Sequence, residues 1–332
     1  MSEKIAFEFD GGLADHHQLN FYEAARFQYA AARLLVKLAQ FRNTGRFRQK
    51  ITDLSNVGIV LEAQKEGSFR INTEAPDPSA QSGLESQNVF LNMTISDLLA
   101  YVVERIIAKT DDADLTSLFN AIPEINEKFG TLKSDDSKKL ESLVRTLTID
   151  KQLLQAVFPE ASELVQRRIS ELARQDRLAA ASAQVARIDA PREQKLISMA
   201  APLISEMATA LRRSADTLKI KSGAETSKSN VLFLNQSMAQ DILASKVDEQ
   251  ITPILGNIIQ YNKETGWGKV RLGISSQPLS FSVPSDQKAA LQDTLLTQMG
   301  KEQVYLQVYI IRDKAREPIR VTIAGILPLP DA

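Results

Sequence analysis

The residue types able to do acid/base or metal chemistry gather near the start of the chain, at Asp10, Asp15, His16 and His17, and the last two are its only histidines. A carboxylate beside an imidazole can pass a proton or help hold a divalent cation. Adjacent residues on a helix point about 100° apart, so His16 and His17 do not readily converge on one ion. A metal-dependent hydrolase using Asp10, Asp15 and His17 therefore ranks third among three functional readings. The chain carries no Gly-x-Ser-x-Gly elbow, no Gly-x-Gly-x-x-Gly loop and no Gly-x4-Gly-Lys-Ser/Thr phosphate loop. Asp111, Asp112 and Asp114 lack the glycine and terminal glutamate of a calcium loop and suit helix capping instead. Arg212-Arg213-Ser214 suits the negative end of a helix. Cysteine is absent, which removes disulfides, zinc-thiolate sites, iron-sulfur clusters and thiol nucleophiles together. No motif asks for a cofactor or a metal, and the sequence reads as non-enzymatic.

Residues suited to binding are better represented. From Gly256 to Leu272 two short strands flank a glycine-rich turn that carries Tyr261, Lys263, Trp267, Lys269 and Arg271. Aromatic faces next to cations are what base stacking and phosphate neutralisation require. The alternative is a plain hairpin turn from Asn262 to Gly268, with Gly266 or Gly268 taking a positive φ and Trp267 capping the barrel. A second cationic feature spans Ala24 to Lys50, with Arg26, Arg33, Lys37, Arg42, Arg46, Arg48 and Lys50 and no acidic residue. On a helix Arg26, Arg33 and Lys37 form a narrow stripe bordered by Tyr22 and Tyr29, while Phe27, Ala31, Leu34, Leu35 and Leu38 form a core face. Such a ridge suits nucleic acid, or an acidic protein segment such as Asp111 to Asp136 of this or another copy.

Gly256, Tyr261, Asn262, Gly266, Trp267 and Gly268 fall in the order that resembles the cold-shock and related oligonucleotide-binding small β-barrels. The resemblance implies a barrel that contacts nucleic acid through Tyr261, Lys263, Trp267, Lys269 and Arg271. It departs from that pattern at Thr265, where a lysine is usual, and in the strand after Gly268, which has no second exposed aromatic. The start of the chain, a strand, a helix and a Gly-Ser-Phe hairpin, is similar to bacterial proteins of unknown function found among mobile or defence-related genes. That likeness implies an adaptor or sensor in a bacterial complex, with phage defence as its setting.

Alternation and helical spacing supply the elements that position these residues. Lys4 to Asp10 alternates as a strand, with Ile5, Phe7 and Phe9 on one face. A helix capped by Asp15 is expected to run to about Arg42 and stop at Asn43-Thr44-Gly45. Strands are expected at Val57 to Ala63 and Ser68 to Thr73 around the turn Lys65-Glu66-Gly67, with alternation resuming at Val89, Leu91 and Met93. From Asp111 to about Ile220 helical spacing takes over, on faces such as Ile149, Leu153, Ala156 and Val157, and Leu164, Val165, Ile169, Leu172 and Leu178. Pro191 is expected in the first turn of a further helix through Leu196, Met199, Leu203, Met207 and Leu211. Lys221 to Asn230 reads as a polar linker. Beyond it come a strand at Val231 to Leu234, a short helix, and five strands at 258–261, 268–272, 279–283, 304–311 and 318–326. That density predicts a small β-barrel. The expected fold is α+β: an N-terminal strand-helix-strand-strand domain over 1–110, a helical middle over 111–220 and a C-terminal small β-barrel over 221–332.

Composition bounds the rest. With 332 residues, 43% hydrophobic and 24% charged, the chain can bury two or three cores. Lys+Arg at 40 against Asp+Glu at 41 leaves a net charge of -1, so attraction for nucleic acid must come from local patches. The start lacks a signal-like apolar core, and the apolar stretch Ile197 to Leu211 is too short to span a bilayer. The expectation is a cytoplasmic protein without membrane contact, with nucleic acid as favoured ligand. The alternative is an assembly subunit that forms homo-oligomers or docks a partner subunit.

Overall fold

The computed structural model describes residues 2–46, 50–53, 55–62, 69–77, 90–107, 109–133, 137–149, 162–223, 229–242, 246–272, 278–312 and 318–327. Its fold is α+β, with an N-terminal antiparallel sheet, a helical middle and a C-terminal five-stranded barrel. Strand β1 (Glu3–Asp10) buries Ala6 as well as Ile5, Phe7 and Phe9, so it reads as an interior strand that needs neighbours on both edges. On one edge it pairs with β3 (Arg70–Ala75), which β2 (Val60–Leu61) extends. On the other it pairs with β4 (Thr217–Ser222) and through it β5 (Ser229–Asn235), both of which follow the helices in sequence. The resulting order is β2-β3-β1-β4-β5. The strand at Val231 to Leu234 thus belongs to the N-terminal sheet, and the stretch read as a linker contains the end of β4 and the start of β5. The expected turn at Lys65-Glu66-Gly67 lies outside the described residues, and of the strand expected over 57–63 the described part that forms a strand is Val60–Leu61.

Helix α1 (Phe21–Thr44) starts five residues later than an Asp15 cap would place it. Gly11, Gly12 and His17 all have positive φ, and Gly12–His16 closes as a 3-10 turn. Asp15 there accepts from the Gly11 N–H at 2.8 Å, and Asn20 is the cap, its Oδ1 accepting from the amides of Tyr22 and Glu23. The helix ends at Gly45, φ 64, as expected. Phe27, Ala31, Leu34, Leu35 and Leu38 are all buried, Phe27 edge-on to Phe7 and Phe9.

Helix α2 (Ile95–Ile106) runs through the centre of this body, just after the residues at which alternation points to a strand. Of that expected strand, Val89 is outside the described residues, and Leu91 and Met93 lie in a turn. The winning signal is local: Thr94 and Asp97 form a reciprocal capping box, and the Glu3 carboxylate accepts from the Ile95 and Ser96 amides. Helices α3 (Asp112–Asn120), α4 (Pro123–Phe129), α5 (Ser137–Ile149) and α6 (Ser162–Ala180) enclose a second core around Leu115, Phe119, Leu143 and Val165. Asp111 caps α3 as expected, while the face at 149–157 lies almost wholly outside the described residues. After the short α7 (Ser182–Val185), α8 (Ala190–Met207) begins with an Asp189 cap and Pro191 in its first turn, and contains Pro202. Helix α9 (Gln236–Ile242) closes the N-terminal body.

The barrel strands fall at the expected positions, except that the first begins six residues earlier: β7 (Thr252–Asn262), β8 (Trp267–Leu272), β9 (Leu279–Ser282), β10 (Val304–Arg312) and β11 (Pro318–Leu327). They close in the order β7-β8-β9-β11-β10, with β10 returning to β7 and β9 parallel to β11. A two-residue strand β6 (Lys246–Val247) adds to β10, and helix α10 (Ser285–Gln298) seats Leu295 in the barrel core. Through Val247, Tyr309 and Ile311 the barrel packs against Ala190 and Ile197 of α8.

Candidate nucleic-acid interface

Along β8, Gly268, Val270 and Leu272 face the barrel interior, so Trp267, Lys269 and Arg271 lie on the outer face. Gly268 has no room for a side chain, since an added Cβ would meet the Gln260 carbonyl and the Phe281 ring. Gly266 takes the positive φ, 73°, and Asn262 shapes the same turn by accepting from the amides of Glu264 and Thr265. Asn262 is thus committed to the backbone of its own turn.

The expected site residues divide sharply. Lys263, Lys269 and Arg271 are exposed, and none forms an ion pair among the described residues. Tyr261 points inward and stacks on Phe281 with centroids 6.0 Å apart, its pKa raised by burial. Trp267 sits on the outer face but is only 8% exposed. Its row of that face, Trp267, Ser282 and Thr322, is buried throughout. The Arg105 guanidinium lies 5.8 Å from the Trp267 centroid, the Lys109 ammonium 5.2 Å and the Arg320 guanidinium 5.1 Å. Three cations on one ring make Trp267 the clasp between barrel and body. This agrees with the capping alternative for Trp267 and not with an open stacking platform.

Behind the clasp lies a buried ionic network. Arg105 faces Glu193 at 3.4 Å, and the Tyr101 hydroxyl donates to the same carboxylate. Arg174 pairs with Glu104 at 3.1 Å, as does Lys109. Burial pushes the Glu104 carboxyl up, but the charges of Arg174 and Lys109 outweigh it and hold it below the usual range. Arg320 donates to the Arg105 carbonyl, and burial pushes it down to about 10 despite the nearby Glu104. Burial and the Glu193 charge raise Tyr101 well above its ordinary value.

One surface residue that sequence reasoning missed is Tyr305 on β10. It pairs in register with exposed Leu255 of β7, itself two residues from Asn257, the partner of Arg271. Tyr305 is half-buried, and with Leu255 and Ile259 it borders the cations of β8 with apolar surface. The strand alternation Tyr305, Gln307 was its signal.

The helical cations are placed differently from a continuous ridge. Arg26 is held by Glu206 of α8 through Nε and Nη2. That pair lowers the Glu206 pKa and raises that of Arg26, the shared hydrogen bond being the main cause of each shift. Arg33 and Lys37 are half-buried and line a groove between α1 and α8. Asp10 pairs with Lys219 at 2.9 Å, and His16 and His17 are exposed. Among the described residues no three histidine or carboxylate side chains converge as a metal site. Ser214 is buried, accepting from the Asn20 amide and donating to Glu23, so it locks the start of α1 to the segment that leads from α8 into β4. Among the described residues no helix is long and apolar enough to cross a membrane.

Residues 5–243 match the family described as Domain of unknown function (DUF7946). The match ends after α9 and before the barrel strands, so it spans the sheet completed by β4 and β5. Comparison with curated proteins and with solved structures gave no match.

Proposed function

The chain belongs to the DUF7946 family, and we propose that it is a non-enzymatic binding protein, an adaptor or sensor of a bacterial complex, that holds nucleic acid on the outer face of its barrel. The observation that carries this reading is the placement of Lys269 and Arg271 at successive outward positions of β8, exposed and without carboxylate partners among the described residues. Lys263 in the adjoining turn extends the cationic line, and Tyr305, Leu255 and Ile259 supply a flank for bases. A small closed barrel with this kind of surface has the architecture of oligonucleotide-binding folds, which combine a basic track with apolar faces. The test is binding of a fluorescent single-stranded oligonucleotide at low salt. Lys269→Ala with Arg271→Ala is expected to weaken it at least tenfold while leaving the melting temperature unchanged; unchanged affinity removes the barrel face from the reading.

A second reading, assembly through protein contacts, draws on the start of α1. Phe21 is 88% exposed there, with Tyr22 and Tyr29 also exposed on the same helix and Leu13 on the preceding turn. Light scattering tests it: a stable oligomer that Phe21→Ser with Tyr22→Ser dissociates favours assembly, and a monomer at all concentrations excludes self-assembly through this face.

A further inference from the structure

The solvent side of a surface helix ordinarily carries its charges, yet on the first half of α1 that side is apolar between two bordering arginines. Tyr22, Ala25, Tyr29 and Ala32 are exposed and follow one another at alternating steps of three and four, the spacing of a coiled-coil seam. Phe21 and Gln28 widen the same face, and Arg26 and Arg33 border it. The pattern is written twice in the sequence, as Tyr-x-Ala-Ala-Arg at Tyr22–Arg26 and again seven residues on at Tyr29–Arg33. Each arginine lies over the tyrosine of its own repeat, Arg26 at 5.5 Å from the Tyr22 centroid and Arg33 at 5.3 Å from the Tyr29 centroid. Both rings are therefore held in place before any partner arrives. The opposite face of α1 is buried in the core, so the helix itself is also formed in advance.

This stripe is self-complementary in one arrangement. About a two-fold axis at the level of Phe27, an antiparallel second copy sets its Ala32 against Tyr22 and its Tyr29 against Ala25, because the members of each pair are equidistant from Phe27 in sequence. Every tyrosine knob then meets an alanine hole, and Phe21 comes beside Arg33 of the second copy. A parallel pair would instead set tyrosine on tyrosine and leave the alanines facing across a gap. The area is sufficient as well. Phe21, Tyr22 and Tyr29 are 88%, 67% and 64% exposed, so at roughly 200 Å² per aromatic side chain they offer about 450 Å² per copy and about 900 Å² per pair. Ala25, Gln28 and Ala32 carry the total past the roughly 1,000 Å² of a specific interface. We infer that the chain forms a two-fold symmetric dimer through antiparallel α1 helices, with Tyr22 on Ala32 and Tyr29 on Ala25, a pairing that rests on the assembly reading above and names a second copy as the partner.

The experiment uses the full chain, which has no cysteine, so oxidative crosslinking reads introduced thiols alone. Light scattering over a dilution series is expected to show a dimer. Ala25→Glu puts a charge into the hole for Tyr29 at an exposed position where a helix tolerates glutamate. It is expected to raise the dimer dissociation constant about tenfold or more with an unchanged far-UV circular dichroism spectrum. Tyr22→Cys combined with Ala32→Cys in one chain is expected to give a disulfide-linked dimer on mild oxidation. Either cysteine alone is expected to stay uncrosslinked, because like positions on the two helices lie about 15 Å apart along the axis. Lys269→Ala with Arg271→Ala is expected to leave the dimer intact, which separates it from the nucleic-acid contact of the barrel. A monomer at all concentrations overturns the inference together with the assembly reading. A dimer that Ala25→Glu leaves unchanged, or in which a single cysteine crosslinks as readily as the pair, overturns this pairing and leaves assembly through another arrangement standing.

Discussion

Replacing Trp267 with alanine separates a structural clasp from a ligand platform, because the two roles predict opposite pairs of outcomes. The ring is 8% exposed and fills the seam between β8 and the end of α2, so its truncation leaves a cavity and costs about 3–5 kcal/mol. Arg105, Lys109 and Arg320 also lose their ring, at about 0.5–2 kcal/mol each for partly desolvated cation–π contacts, and these losses overlap with the cavity cost. For a body of this size about 3–5 kcal/mol lowers the melting temperature by roughly 6–20 °C. Trp267→Phe keeps an aromatic face over the cations and is expected to lose about half as much. The assay is thermal melting by far-UV circular dichroism, paired with oligonucleotide binding well below the midpoint. A large drop in midpoint is expected for Trp267→Ala with oligonucleotide affinity within about twofold, since Lys263, Lys269 and Arg271 remain in place. A midpoint within about 2 °C of the parent, combined with a clear loss of affinity, refutes the clasp and restores Trp267 as a ligand contact.

Three further outcomes follow from the same geometry. Trp267 is the only tryptophan, so its emission is expected to resist iodide quenching in the parent and to become accessible in Arg105→Met, where the cover over the ring is removed. Asn20→Ala removes the cap that accepts from the Tyr22 and Glu23 amides and is expected to cost about 1 kcal/mol in urea unfolding, whereas Asp15→Ala, no longer the cap, leaves α1 intact. Glu104 is held below its ordinary range, so its contribution to stability is complete above the unfolded carboxylate value near 4.3 and is lost as pH falls through the lower folded value. The urea midpoint is therefore expected to fall below about pH 4, and to fall less steeply in Glu104→Gln; an equal slope in both proteins would remove Glu104 from the acid response.

Much of the fold was legible because it is local. Each barrel strand announces itself by period-two alternation, and Pro191 and Gly45 mark helix ends by their own backbone chemistry. Helix α2 was not legible by periodicity, since Leu98 to Val103 is buried all round and reads as an unbroken apolar run. Its Thr94-x-x-Asp97 box was the available signal. Pairing of β1 with β4 joins segments more than 200 residues apart, and nothing within either strand names its partner. The candidate site divided along the same line. The exposure of Lys269 and Arg271 follows from alternation within one strand, which sequence supplies. The burial of Trp267 depends on Arg105 and Lys109, far upstream, and the fate of Arg26 depends on Glu206, 180 residues away. Cations inside or beside apolar runs, Arg105 after Val103 and Arg320 before Val321, were the marks of a buried junction.

The central claim, nucleic acid held by the basic line of the barrel, is tested most directly by the salt dependence of single-stranded oligonucleotide affinity. Each phosphate neutralised contributes about -0.7 to the slope of log affinity against log salt, so Lys263, Lys269 and Arg271 together predict a slope near -2. In Lys269→Ala with Arg271→Ala the slope is expected to shrink by about 1.4 units. No measurable binding at low salt, or a slope that the double substitution leaves unchanged, contradicts the claim.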